Sequence, residues 1–106
     1  MPAGTKTATA PTTIEMEPIQ ILLVTAPGCH FCDEAQRLLA DLGNTFPLAI
    51  RAIPLVSETG RDLVVRHRVP FPPILIVNGS FFGYGRISRQ RLEGTLVGLR
   101  AGQAVS

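Results

Sequence analysis

The only two cysteines of the 106-residue chain stand two residues apart, in Ala26-Pro27-Gly28-Cys29-His30-Phe31-Cys32. Two intervening residues let the second sulfur reach back and close a disulfide with the first, so the stretch reads as a reversible two-electron switch. A structural role suits the pair poorly. The loop it closes is four residues long, and the entropy a crosslink removes grows with the logarithm of that length. Zinc suits it no better: a tetrahedral site needs four ligands, and only His30 and His67 remain. His30 lies inside the motif and His67 is not at ligand spacing, so no metal is expected.

The elements on either side decide what the sulfurs can do. Ile19 to Thr25 is nearly all apolar and β-branched, which predicts a central strand covered on both faces. After the cysteines, Ala35, Leu38, Leu39 and Leu42 fall at i, i+3, i+4 and i+7, predicting a helix stopped by Gly43-Asn44. Cys29 then sits at the exposed N-terminal end of that helix. Unpaired N–H groups and a partial positive charge there favour its thiolate, while Cys32 is more enclosed. His30 is a candidate for holding the thiolate as imidazolium, with a solvent-facing ring as the alternative. Asp33 and Glu34 are read as stabilisers of the helix start whose charges partly oppose the thiolate. Phe31 is read as apolar cover at the rim.

The rest of the chain supplies a framework. Leu48 to Ile53, between Pro47 and Pro54, predicts a second strand, parallel to the first. Thr59 and Asp62, at capping-box spacing, predict the start of a short helix that ends near His67, a surface residue at the helix terminus. Val69-Pro70-Phe71-Pro72-Pro73 excludes regular structure, because its prolines remove donors and hold their neighbours extended. Ile74 to Val77, Asn78-Gly79 and Phe81 to Tyr84 predict a hairpin. Ser88 is placed to cap a last helix with Leu92, Leu96 and Leu99 on one face, and Arg86, Arg89, Arg91 and Arg100 are expected at its solvated side. The order is βαβαββα. Residues 1–18, rich in Thr, Ala and Pro, are expected to be a disordered leader; residues 19–100 form one domain and 101–106 a flexible tail.

Composition narrows the function. A net charge of +2, with basic residues scattered among apolar ones, demands neither nucleic acid nor a membrane surface as partner. No run reaches the length of a membrane span, and the N-terminus lacks a signal-type apolar core. A cytoplasmic protein is expected, where paired thiols are usually catalytic or metal-binding.

Cys-X-X-Cys at the end of a first strand, the βαβαββα order and a proline just before a hairpin together resemble the thioredoxin superfamily, and within it the small glutaredoxin-like redoxins. The likeness covers about Ile19 to Leu99. It implies an α/β fold, a four-stranded mixed sheet with helices on both faces. It also implies Cys29 as nucleophile, Cys32 as resolving thiol and a cis-proline opposite them. Pro73 matches that proline by its distance to Asn78-Gly79, with Pro70 as the alternative. The implied activity is reduction of protein or small-thiol disulfides by a dithiol mechanism, in a monomer with no tightly bound cofactor. A reductase or a low-molecular-weight thiol would supply electrons, with His30 and Arg86 as candidates to touch it and Arg86 to hold a carboxylate. Ala26 stands where glutathione-using relatives carry Lys, and Gly83-Tyr84-Gly85-Arg86 replaces their Gly-Gly pair, so glutathione is expected to serve poorly. The chain also lacks the Trp and the acid in the first strand that thioredoxins carry. The alternatives are a binding module holding an iron-sulfur cluster across a dimer, and a partner-binding domain with idle cysteines.

Overall fold

The structure, a computed structural model, describes residues 17–105, with side chains through residue 100. Of the expected leader only Glu17 and Pro18 are described, both exposed; residues 1–16 and Ser106 lie outside the described residues. The elements are β1 (Ile19–Thr25), α1 (His30–Leu42), β2 (Leu48–Pro54), α2 (Glu58–His67), β3 (Ile74–Val77), β4 (Ser80–Tyr84) and α3 (Arg89–Val105). The last helix therefore continues past the boundary expected at residue 100.

The sheet runs β2-β1-β3-β4. β1 pairs in parallel with β2, from Ile19↔Leu48 to Thr25↔Pro54, and antiparallel with β3, from Ile21↔Val77 to Val24↔Ile74. That mixed sheet follows from the connections: a helix must carry the chain from β1 to a parallel β2, while two residues suffice between antiparallel β3 and β4. Asn78 and Gly79 both take positive φ, 49° and 83°, the combination a two-residue hairpin turn demands. Asn78 also locks the hairpin to β1: its amide donates to the Gln20 carbonyl (2.7 Å), and its Oδ1 accepts from the Gln20 amide (2.8 Å). A bulge at Phe82 breaks the β3–β4 register, since Leu75 faces Gly83 and Ile76 faces Phe81.

The apolar run of β1 is explained by burial on both faces. Ile19, Ile21 and Leu23, with Leu75 and Val77 of β3, pack against Ala35, Leu39 and Leu42 of α1 and Leu92 and Leu96 of α3. Val24, Ile74 and Ile76 pack on the opposite face against Leu63 of α2 and Val69. Each buried Val, Leu or Ile among them contributes roughly 1.5–3 kcal/mol over exposure, whereas an exposed pair such as Arg66 with Asp62 is worth about 0–1 kcal/mol. The two apolar layers therefore hold the fold, and they fix α1 against the sheet.

One helix start differs from expectation. Ser57, not Thr59, caps α2: its hydroxyl accepts from the Gly60 amide (3.0 Å) and donates to the Pro54 carbonyl (2.7 Å). The chain leaves β2 in a tight turn, so the helix begins two residues earlier than the Thr59-Asp62 spacing suggested. α1 ends at Gly43 in an ordinary right-handed conformation, and turns through Asn44, Thr45 and Phe46 close it.

Candidate active site

Burial of Leu39 and Leu42 fixes the roll of α1 and points its first turn out of the C-terminal end of β1. Cys29 is the N-cap residue, with extended φ −102° and ψ 108°. Its Sγ does what a Ser or Asp oxygen usually does there, accepting from the Cys32 amide at 3.1 Å, while its carbonyl accepts from the Asp33 amide at 3.1 Å. Cys29 and Cys32 are joined in a disulfide, with their Cα atoms 5.1 Å apart.

The two sulfurs differ in access. Cys29 is half-buried at the mouth of the site, and Cys32 is only 2% exposed. No charged or polar side chain is buried among the described residues, so Cys32 has no internal acid beside it. Apolar enclosure disfavours a thiolate at Cys32, while the N-terminal amides favour one at Cys29.

Opposite Cys29 lies the proline-rich segment. The Pro72–Pro73 peptide bond is cis, so of Pro73 and Pro70 the cis bond falls at Pro73, which is fully buried. The Pro72 carbonyl oxygen faces the Cys29 Sγ at 3.9 Å, within reach of an S–H when the pair is reduced. The Pro73 carbonyl is held from behind by the Gly85 amide at 2.8 Å. Gly85 takes φ +68°, and a Cβ there would stand 2.7 Å from Cε1 of Phe71, so the Phe71 ring closes directly over this glycine. Phe71 also meets Tyr84 edge to face, with ring centroids 5.5 Å apart. Phe71 and Tyr84 remain partly exposed and form an aromatic rim. Sequence reasoning missed Phe71 and Gly85 as site supports; a glycine directly after the return strand was the available signal.

The other candidates are placed less centrally. His30 turns away from the sulfurs: its Nε2 lies 2.9 Å from Oε2 of Glu34 one turn on, with the imidazole side chain 75% exposed. Arg86 is exposed, with its guanidinium 5.9 Å from the centre of the Phe31 ring, and it makes no ion pair among the described residues. Arg89 ties α3 to α1 through Asp41, and Arg91 and Arg100 lie over Phe82 and Phe46. Arg86, Arg89 and Arg91 are exposed, as expected of the solvated side of the last helix, and Arg100 is half-buried. His67 stacks on Phe81 with centroids 4.3 Å apart. Among the described residues no three His, Cys, Asp or Glu side chains group around one metal position, and no helix is long and apolar enough to cross a membrane.

No family model and no curated protein matches the sequence. Solved structures do match the architecture. An uncharacterised thioredoxin-like protein from Clostridium perfringens superposes with a TM-score of 0.62 at 17% identity, over 86% of this chain and 78% of that one. The chain has the thioredoxin fold. A mutant thioredoxin from Halobacterium salinarum superposes at TM-score 0.56 and 15% identity, over 76% of this chain and 73% of its own. A reduced thioredoxin pre-protein from Schistosoma mansoni gives TM-score 0.56 at 15% identity, over 78% and 80%. On this thioredoxin fold the cysteine pair and cis-Pro73 face each other across the C-terminal end of β1.

Proposed function

We propose that the protein is a dithiol thiol-disulfide oxidoreductase, glutaredoxin-like in its size and element order. The supporting observation is the inequality of two bonded sulfurs on one helix end, with Cys29 half-buried at the mouth and Cys32 buried behind it. In the reduced protein the Cys29 thiolate attacks one sulfur of a substrate disulfide. That S–S bond breaks, the distal sulfur leaves as a thiolate and takes a proton from water, and a mixed disulfide remains on Cys29. Cys32 then loses its proton to solvent and attacks Sγ of Cys29, which closes the Cys29–Cys32 disulfide and expels the second substrate sulfur as thiolate. Two electrons have passed to the substrate. A dithiol reductase or two equivalents of a small thiol return them, so the exchange itself needs no bound cofactor. The proposed setting is the cytoplasm, where such reductants are abundant.

Catalysed reduction of a model disulfide by dithiothreitol tests the proposal. Wild-type protein is expected to accelerate it and Cys29→Ser to give only the background rate. Equal rates with and without wild-type protein would overturn it.

A further inference from the structure

Pro72 faces Cys29 from within a run, residues 70–73, that has prolines at three of its four positions. A polypeptide that docks as an added strand needs from one residue both a donated N–H and an accepting C=O. Pro72, the residue whose carbonyl oxygen lies 3.9 Å from Cys29 Sγ, has no N–H to give. Pro73 has none either, and its carbonyl is already taken by the Gly85 amide. At Pro72, the position nearest the reactive sulfur, the wall is therefore an acceptor without a donor. An extended substrate lying along it would have a backbone carbonyl desolvated with nothing to receive, a penalty that a substrate lacking such a carbonyl avoids.

From this we infer that, granted the exchange activity proposed above, the protein discriminates against extended polypeptide disulfides and acts on small disulfides that carry no peptide strand through the groove. Phe71 and Tyr84, an exposed edge-to-face pair flanking the Pro72–Pro73 bond in sequence and across the Gly85 contact, offer such molecules apolar surface. Pro72 is the specificity-determining residue. It selects by withholding a hydrogen bond, not by steric exclusion.

The test measures how fast fully reduced protein is oxidised by two disulfides: bis(2-hydroxyethyl) disulfide, and a ten-residue peptide dimerised through a central cysteine. Each rate is divided by that of dithiothreitol with the same disulfide, which removes intrinsic reactivity. For wild type the normalised rate is expected to favour the small disulfide by about tenfold, the size of one unmet hydrogen bond. Pro72→Ala and Pro72→Val, each keeping Pro73, are expected to raise the ratio of the peptide rate to the small-disulfide rate about tenfold. A wild-type preference for the peptide, or folded variants in which that ratio does not rise, would overturn the inference and leave the exchange activity standing. Failure of both disulfides to oxidise wild-type protein would remove the exchange activity itself, and this inference with it.

Discussion

The Cys32 amide donates to the Sγ of Cys29 at 3.1 Å, so the first cysteine of the motif caps the helix through the backbone of the second before the Cys32 sulfur takes part in any chemistry. The same N–H that meets a disulfide sulfur here stands ready for a thiolate after reduction. A charge-assisted hydrogen bond of this kind is roughly twice as strong as a neutral one. Cys29 of the reduced protein is therefore expected to be alkylated by iodoacetamide well before Cys32 at neutral pH. Peptide mapping of the labelled protein checks this, and equal rates at the two positions would contradict it.

Gly85 supports the site from behind, and its replacement should show it. Gly85→Ala puts a Cβ 2.7 Å from Phe71 at a backbone φ of +68°. The strain and the displaced ring are expected to cost about 1–3 kcal/mol of stability. Because the Gly85 amide holds the Pro73 carbonyl, exchange should slow as well. Thermal unfolding and the dithiothreitol-driven assay read the two effects. A variant as stable and as active as wild type would show that this contact positions nothing.

Much of this arrangement is legible in the sequence, for local reasons. The unbroken apolar run of β1 reports burial on both faces, and Asn78-Gly79 names its turn because both residues tolerate positive φ. Cys29 falls at the helix start because Ala35, Leu39 and Leu42 fix the helix period behind it. What sequence periodicity does not carry is contact between distant segments. The closure of Phe71 over Gly85, the tie from Arg89 to Asp41 and the stacking of Arg100 on Phe46 join residues whose proximity exists only after the sheet has formed. His30 is a subtler case. Its place inside the motif suggests a partner for the sulfur, but helix geometry gives it Glu34 four residues on as the nearer one.

Glutathione is expected to be a poor reductant. Ala26 precedes the motif where a cation would be needed, and the only lysine in the chain is Lys6. Turnover of a model disulfide should be slow with glutathione and glutathione reductase, and faster with a flavoprotein dithiol reductase or another small thiol. Fast glutathione-driven turnover would contradict this and place the specificity elsewhere.

The unequal roles of the two sulfurs are tested most directly by trapping. Cys32→Ser protein, reduced and then mixed with bis(2-hydroxyethyl) disulfide, is expected to hold one hydroxyethylthio group on Cys29 in a long-lived mixed disulfide, because the resolving sulfur is gone. Cys29→Ser is expected to hold none, since its remaining thiol is buried. Intact mass of the two variants after the same exposure is the measurement. One added hydroxyethylthio group on Cys32→Ser alone is the expected result, and no adduct on it, or equal adducts on both variants, would contradict a dithiol exchange led by Cys29.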